Sequence, residues 1–413
     1  MSKSDAMKII HSGIASSKPE NFIKKYVSKN LLRCGTRSFA VSDYGNIWIV
    51  AMGKAADTMT KSIAKIIPIA GGIVVIPKNY APVIRNKKFQ IVRAGHPTPD
   101  SGSVFAGKTI RAFLKNTSCK DLVVFLVSGG TSSLVCAPEG VTLEQKIKTS
   151  RILLESGASI NEINAIRKHI SAVKGGKILD SLCCTAISYV MSDVVNNDLG
   201  SIGSGIVFCD KTTFSDCIGI VKKYGLEKKL PKSVLSRLRL GAMGKISETP
   251  KKPKIPNQII AQNSDCLDAM RTTAKKLGYS TLVYPKLTGD VELAAKKILK
   301  KFNAQNNTCV IFGGETTVKV RGNGKGGRNQ ELVLRMISQL PTKTLVASLG
   351  TDGIDGNTKN AGAIFDHPVS RNLIKQYLEN NDSNSFFAKH GGLITTKPTH
   401  SNLLDIGLIL KKL

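Results

Sequence analysis

The run of six apolar residues Leu122–Val127, followed directly by a serine and two glycines, constrains the fold of this chain more than any other feature. A strand that is apolar at every position is typical of a parallel sheet with helices on both faces. Further apolar runs at residues 46–52, 72–76, Phe89–Ala94 and 186–191 alternate with segments of helical periodicity. This alternation predicts an α/β fold built on a parallel sheet.

A chain of 413 residues is long enough for two domains of about 100–200 residues each. The alternation breaks at residues 241–256, where prolines and lysines occur without an apolar face, as in a linker or a long surface connection. We therefore predict an N-terminal domain at 1–240, a linker at 241–256 and a C-terminal domain at 257–413. In the C-terminal domain the apolar runs predict strands at 258–261, 281–284, 309–312, 316–321 and 345–348.

The balance of 60 basic against 29 acidic residues gives a net charge of +31. The bases are spread along the chain and do not interleave with aromatic residues, so we expect a solvated surface and no specific nucleic-acid partner. No apolar run approaches the ~20 residues of a membrane span, and the N-terminus lacks the apolar core of a signal peptide. We therefore expect a cytoplasmic protein without a membrane partner. The nine cysteines lack a CxxC pair, which predicts free thiols.

Two loops with glycines follow strands, where ligands bind in open α/β sheets. Lys54 follows Gly53 and would stand near a helix N-terminus, where it either neutralises a phosphate or is simply exposed to solvent. The second loop follows the apolar run and predicts an anion site, against the alternative of a tight turn with a helix cap. Its candidate residues are Ser128, Gly129, Gly130, Thr131 and Ser132. A serine hydrolase is a further alternative, but no GxSxG elbow surrounds Ser128.

Polar residues also stand in a predicted helix over 162–182 and after the strand at 186–191. The helical spacing places Asn164, Arg167, Lys168, Ser171 and Lys174 on one face, which either contacts an anion or is exposed to solvent. Asp193 follows the strand, where it would position Mg²⁺ or accept a hydroxyl proton, unless it only caps a turn.

The segment from Gly322 to Arg328 matches the dinucleotide pattern GxGxxG and precedes a predicted helix over 329–339. The acid expected near the ribose is Asp352, which comes late for that role. We therefore predict a phosphate cradle, to which Gly324, Lys325, Gly326, Gly327, Arg328 and Asn329 contribute. Residues 102–109 match the P-loop by letter, but their apolar spacing predicts a helix capped by Asp100 or Ser101.

Several longer stretches carry a resemblance to a known family. They read AMGKAADTM, AGHPTPDSGS, LVSGGTSSL, INAIRKHISAVKGGKIL, MSDVVNNDLGSIGSG, AQNSDCLDAM, GGETTVKVRGNGKGGRNQEL and SLGTDGIDGNTKNAGA. Together they run from about residue 51 to residue 363 and resemble the glycerate kinases that carry a C-terminal MOFRL domain. The chain departs from the family pattern at Asn196 and Asn197, where one acid is missing, and at Lys359, which replaces another.

The resemblance implies a Rossmann-like doubly wound domain and a smaller α/β MOFRL-type domain, with the active site in the cleft between them. It implies ATP and Mg²⁺, and D-glycerate phosphorylated at the 2-hydroxyl. Family members depend on a lysine and an arginine that match Lys54 and Arg328. We expect Asp193 to join them in catalysis, Glu315 and Asp352 to contact substrate, and Asp193 and Asp352 to hold the metal.

Two other classes of protein stay open at this point. A hydroxypyruvate reductase-type NAD(P)-dependent oxidoreductase would also use GxGxxG and a small hydroxy acid. A basic nucleic-acid-binding protein fits the charge but not the scarcity of aromatic residues. We expect a monomer or a homodimer.

Overall fold

The computed structural model describes residues 2–302, 305–367 and 369–411. The helices are α1 (Ser2–Ser16), α2 (Glu20–Tyr26), α3 (Ala56–Ala64), α4 (Ser101–Lys115), α5 (Thr131–Leu134), α6 (Leu143–Glu155), α7 (Ile160–His169), α8 (Phe214–Lys223), α9 (Lys232–Ala242), α10 (Asn263–Lys276), α11 (Val291–Lys301), α12 (Arg328–Ile337), α13 (Arg371–Glu379) and α14 (Ser383–His390). The strands are β1 (Leu31–Cys34), β2 (Arg37–Ala40), β3 (Ile47–Met52), β4 (Gly71–Pro77), β5 (Phe89–Ala94), β6 (Leu122–Val127), β7 (Thr185–Met191), β8 (Asn257–Ala261), β9 (Ser280–Asp290), β10 (Thr308–Thr317), β11 (Thr344–Gly350), β12 (Gly362–Phe365), β13 (Leu393–Ile394) and β14 (Asp405–Lys411).

These elements pack into two compact units. The larger unit comprises residues 22–191 and 197–260, and the smaller unit comprises residues 2–21, 192–196 and the described part of 261–411. The domains predicted from the sequence are continuous segments of the chain. Each of the two units instead combines segments that are separated in the sequence. In particular, α1 and the segment that carries Asp193 pack with the C-terminal half of the chain.

The larger unit is built on a six-stranded sheet in the order β5-β4-β3-β6-β7-β8. The pairs β4–β5, β3–β4, β3–β6 and β6–β7 are parallel. Numbered within the sheet, this order is 3-2-1-4-5-6, the order of the doubly wound dinucleotide-binding fold. Every residue of β6 is buried, as its unbroken apolar run predicts. The predicted fold class is therefore confirmed.

The smaller unit contains a mixed six-stranded sheet in the order β13-β12-β11-β14-β10-β9. β10 is parallel to β9, whereas β14 lies antiparallel between β10 and β11. The core that covers this sheet includes Phe312, Val333 and Ile409. β14 thus places the last described residues of the chain at the centre of the unit.

The helix predicted over 162–182 is confirmed at 162–169 and is wrong beyond that point, because α7 ends at His169. Ile170 leaves the helical conformation with φ −106° and ψ 26°, and Ser171 forms an isolated bridge with Pro138. Gly175 and Gly176 then have φ angles of 61° and 82°, which glycine adopts without strain. The residues predicted on one helix face therefore do not share a helix.

Two other predicted segments also have different bounds in the structure. The strand predicted at 316–321 is the end of β10, which stops at Thr317. The segment 241–256 belongs to the larger unit and is anchored there. Thr249 donates from Oγ1 to Asp210 Oδ2 at 3.1 Å, and the Asp210 N–H donates to the Pro250 carbonyl at 2.8 Å.

The segment with the P-loop spelling lies inside α4, as predicted. Asp100 caps this helix by accepting a hydrogen bond from the Ser103 N–H at 3.0 Å. A phosphate loop is therefore absent from residues 102–109, which are helical throughout. Among the described residues, the helices are too short or too polar to cross a membrane.

Candidate active site

The loops after β3 and β6 meet at the carboxyl edge of the larger sheet, where its strand order reverses. The Lys54 N–H donates to the Gly129 carbonyl at 2.8 Å, and the Ala55 N–H donates to Ser128 Oγ at 3.0 Å. Gly53 has a φ of +124°, and a Cβ built there would lie 2.1 Å from Ser128 Oγ. Glycine is therefore required where the two loops touch. Such a switch point is where open α/β sheets bind ligands.

All three hydroxyls predicted to bind an anion have hydrogen-bond partners inside the fold. Thr131 is buried and donates from Oγ1 to the carbonyls of Met52 at 2.9 Å and Ser128 at 2.7 Å. Ser128 is buried too, and its Oγ accepts the Ala55 N–H. Ser132 is half-buried, and its Oγ lies 2.8 Å from Ser204 Oγ. Ser132 is the least buried of the three residues, and its hydroxyl would reach a ligand by exchanging its contact with Ser204 for one with that ligand.

A buried lysine lies beneath this serine. Lys174 Nζ donates to the Ser132 carbonyl at 2.7 Å and to Ser132 Oγ at 3.1 Å, and the Lys174 side chain is fully buried. Burial, with repulsion from Lys146, holds the pKa of Lys174 well below its usual range. Ser204 donates from Oγ to Asn164 Oδ1 at 3.0 Å. Asn164 and Lys174 therefore meet in one polar network although they do not share a helix.

Two further cations belong to the same region. Lys146 of α6 is buried, and burial lowers its pKa, with partial compensation from Cys136. Burial also lowers the pKa of Arg167, whose Nε donates to Ser150 Oγ at 3.3 Å. Within the described residues, Lys146, Arg167 and Lys174 have no carboxylate partner. Charge without a partner is unfavourable in a protein interior, so a bound anion would stabilise the charged forms of these three basic side chains.

Lys146 was missed by the sequence analysis. It shares the buried face of α6 with Thr149 and Leu153, at the spacing i, i+3, i+7 of a helix stripe. A lysine on such a face is the signal that could have identified it. Lys168, by contrast, is buried but paired with Asp210 at 3.2 Å, so its charge is largely compensated.

In the smaller unit, Arg328 begins α12 and is held by two carboxylates. Its Nε lies 2.6 Å from Asp405 Oδ2, and its Nη1 donates to Glu315 Oε1 at 2.5 Å. Burial lowers the pKa of Arg328, but Asp405 and Glu315 outweigh it and raise the pKa above its ordinary value. The side chain keeps 33% of its exposure. The guanidinium is thus oriented, charged and accessible.

The N–H groups at the start of α12 have no partner within the helix, and they donate instead to a carboxylate of the protein. Asp355 accepts from the Asn329 N–H at 3.0 Å and from the Gln330 N–H at 2.9 Å, and both side-chain amides donate to it as well. A Cβ at Gly327 would lie 2.3 Å from Asp355 Cγ. Glycine therefore allows this carboxylate to approach, and the helix N-terminus is already neutralised.

The N–H groups of the preceding glycine-rich loop also have partners within the smaller unit. Those of Asn323, Gly324, Lys325 and Gly326 donate to Asn380 Oδ1, the Asn380 carbonyl, Asp382 Oδ1 and Asn357 Oδ1, at 2.9–3.0 Å. The structure therefore does not favour the backbone phosphate cradle predicted from the GxGxxG spacing. It leaves anion contact here to the side chains of Lys325 and Arg328.

Asp193 and Asp352 belong to the same smaller unit and are half-buried. Asp352 is oriented by the Ile354 N–H, which donates to its Oδ1 at 3.1 Å. Among the described residues there is no cluster of three or more His, Cys, Asp or Glu side chains that would hold a metal unaided. Mg²⁺ commonly uses one or two carboxylates together with substrate phosphates and water, so the carboxylate of either residue suits that ion.

The larger unit has the strand order of nucleotide-binding folds. Basic side chains stand in or next to the loops of both units, Lys54 in the larger unit and Lys325 and Arg328 in the smaller one. These features define an α/β protein that binds anionic small molecules. Residues 5–239 match the family described as Domain of unknown function (DUF4147), and residues 308–405 match the MOFRL family.

Glycerate kinases from other organisms are similar in sequence to this protein over nearly the whole chain. A glycerate 2-kinase of Pyrococcus horikoshii is 36% identical, with 88% of this chain and 86% of that protein covered. A D-glycerate 2-kinase of Thermotoga maritima is 34% identical, with 98% of both covered. The crystal structure of a Thermotoga maritima glycerate kinase has a TM-score of 0.82 at 32% identity, over 99% of each chain. The chain therefore belongs to the glycerate kinase family.

Proposed function

We propose that this chain transfers the γ-phosphoryl group of ATP to the 2-hydroxyl of D-glycerate, giving 2-phosphoglycerate and ADP. The observation that carries the proposal is Arg328, a charged and accessible guanidinium oriented by Asp405 and Glu315. Phosphoryl transfer asks a protein mainly for positioning and charge stabilisation, which such an arginine supplies. The full-length similarity to glycerate kinases supports the choice of substrate.

Arg328 and Lys54 are the cations proposed to act on the transferred group. Negative charge spreads over its equatorial oxygens in the transition state, and a pre-oriented cation stabilises that charge without reorganising. Glu315 positions Arg328, with Nη1 as the donor. The placement of the active site in a cleft, implied by the family resemblance, stays a prediction.

The polar network of the larger unit is proposed to hold the carboxylate of D-glycerate. Ser132 would donate from Oγ to the substrate in place of Ser204, with Lys174 as its neighbour and with Lys146 and Arg167 nearby. A substrate carboxylate would supply the negative partner that these three basic side chains lack within the described residues. Gly129 and Gly130 would allow its close approach, because neither has a side chain.

Asp193 and Asp352 are proposed to hold Mg²⁺, which fits the oxygen donors that both residues present. The chemistry supplied by the bound ion is neutralisation of charge on the phosphate oxygens. Asp193 is also the proposed acceptor of the substrate hydroxyl proton. Lys325 would add a further positive charge to the nucleotide phosphates.

The test is to incubate the chain with D-glycerate, ATP and Mg²⁺ and to identify the products. ADP and 2-phosphoglycerate are expected, whereas 3-phosphoglycerate would move the reaction to the other hydroxyl. A parallel incubation with hydroxypyruvate and NAD(P)H addresses the oxidoreductase alternative, because nicotinamide oxidation is followed directly by absorbance. Nicotinamide oxidation without ADP formation would overturn the proposal. Cytoplasmic location, the oligomeric state and the lack of a nucleic-acid partner stay predictions.

A further inference from the structure

A cavity of about 420 Å³ lies in the smaller unit between α11, α12, α13 and the segment that follows β10. This volume is within the range of small-molecule sites, about 300–1,000 Å³. Asp290, the last residue of β9, and Lys319, two residues after β10, both line it. β9 and β10 are parallel neighbours, so the cavity lies beside their carboxyl ends, where α/β sheets bind ligands.

The walls of the cavity combine an apolar surface with carboxylates that already have partners. Ala295, Ile374 and Leu378 supply the apolar part. Glu331 is buried, accepts from Arg335 Nη2 at 2.8 Å and accepts from Asn381 Nδ2 at 3.1 Å. A flat organic group can therefore pack on the wall while its hydroxyls reach carboxylate oxygens.

Three basic side chains at the cavity have no ion pair among the described residues. They are Lys319, Arg321 and Arg371, and all three residues are exposed. The Arg321 N–H donates to Asn381 Oδ1 at 2.6 Å, which fixes the backbone of its segment. Six bases against four acids line the cavity, and the three cations without ion pairs give it a positive rim. A ligand with both an apolar part and phosphates matches this distribution.

We propose that this cavity binds the nucleoside part of the phosphoryl donor, with the phosphates directed to Lys319, Arg321 and Arg371. Arg328, Glu331 and Arg335 are spaced i, i+3, i+7 on α12 and so share one face of that helix. At 1.5 Å per residue, Arg328 is about 10 Å along the axis from Arg335. The phosphates of a nucleotide seated here would extend along the face that carries Arg328. The assignment to the phosphoryl donor rests on the proposed function.

The test measures binding of a fluorescent N-methylanthraniloyl ATP to the full chain, with ATP as competitor. Arg321→Ala and Arg371→Ala each remove one rim cation from an exposed position, and each is expected to weaken binding about ten-fold, as for the loss of a charge-assisted contact. Leu378→Trp fills the cavity and is expected to abolish binding. Lys276→Ala is the matched control, because it removes one exposed charge of the same unit outside the cavity. It is expected to change binding less than two-fold.

Product formation is measured separately, so that failure of this inference and failure of the proposed function are distinguishable. If the chain makes phosphoglycerate but both arginine variants bind nucleotide as tightly as the wild type, the cavity is not the nucleotide site. If the variants lose nucleotide binding and no phosphoglycerate forms even in the wild type, the cavity site stands and the kinase proposal fails. Circular dichroism and melting temperature identify a variant that has lost its fold, and the two surface variants then decide.

Discussion

The guanidinium of Arg328 binds the carboxylate of Asp405 through two N–H groups, with Nε 2.6 Å from Oδ2 and Nη2 3.0 Å from Oδ1. Asp405 begins β14, which lies between β10 and β11 in the smaller sheet. The arginine is therefore fixed to the centre of the sheet rather than to a mobile loop. A cation held in this way can stabilise developing charge without first reorganising.

Replacing Arg328 by lysine tests whether this geometry matters beyond the charge. Lysine keeps the charge but loses the planar group that binds Asp405 and Glu315 together. We expect kcat to fall about 100-fold or more, as for the loss of one pre-oriented donor, while circular dichroism shows that the fold is retained. Arg271→Lys, at an exposed position of α10, is the control. Wild-type kcat in Arg328→Lys would contradict the assignment.

The pH dependence of kcat tests the Asp405 pair. Burial raises the pKa of Asp405 to about 6, against the pull of Arg328. As the pH falls through about 6, the carboxylate takes up a proton and releases its grip on the guanidinium, so kcat is expected to fall. In Asp405→Asn this acid limb should disappear from a profile with a lower plateau, measured between pH 5 and 9 as a conventional range around neutrality.

The same group has the opposite effect on stability. In the unfolded chain an aspartate titrates near 3.9, so between that pH and about 6 the folded chain binds the extra proton. The contribution of Asp405 to the free energy of unfolding should therefore grow as the pH falls through this window. Denaturant titrations of the wild type and Asp405→Asn should differ with that sign. If the free energy of unfolding depends on pH in the same way in the wild type and in Asp405→Asn, the titrating group is another residue.

Lys54 is tested by its removal. Lys54→Ala is expected to lower kcat about 100-fold, because one cation is lost from the transferred phosphoryl group. Its backbone contact with Gly129 does not depend on the side chain, so the fold should survive, as circular dichroism would verify. Lys61→Ala removes an exposed lysine of α3 and should keep the wild-type kcat. Equal rates in the two variants would remove Lys54 from the mechanism.

Lys146→Met separates binding from stability. Burial lowers the pKa of Lys146 and no carboxylate pairs with it among the described residues, so an apolar side chain of similar length should stabilise the fold by about 1 kcal/mol. The same change weakens the positive potential at Ser132, and KM for D-glycerate is expected to rise about ten-fold with KM for ATP unchanged. Lys148→Met, exposed on the same helix, should change neither quantity. A rise in KM for ATP alone would assign the cations to phosphate.

Asp355→Ala tests the cap of α12. The variant loses a buried carboxylate that accepts hydrogen bonds from Asn329 and Gln330, and the free energy of unfolding is expected to fall by about 3 kcal/mol. Asp290→Ala, at the start of α11, loses one contact, the Glu292 N–H at 2.9 Å, and should cost about 1 kcal/mol. Denaturant midpoints measure both. Equal losses would mean that Asp355 is an ordinary cap.

The sequence predicted the apolar strands and the loops that follow them, because burial on both faces leaves an unbroken apolar run. It placed β5 and β6 at their observed bounds. It failed at residues 170–182, where the polar spacing continues but the chain turns at Gly175 and Gly176. It also missed Asp405, whose signal was a single acid at the head of an apolar strand.

By itself the sequence determined which residues carry charge, which runs must be buried and where glycine permits a turn. Only the tertiary structure decided which donors and acceptors meet. The N–H groups of Gly324 and Lys325 look free in the sequence, yet they bind Asn380 and Asp382, and Lys174 lies under Ser132. The physical reason is that a hydrogen bond or an ion pair depends on positions in space, which separations of 40 to 60 residues along the chain do not fix.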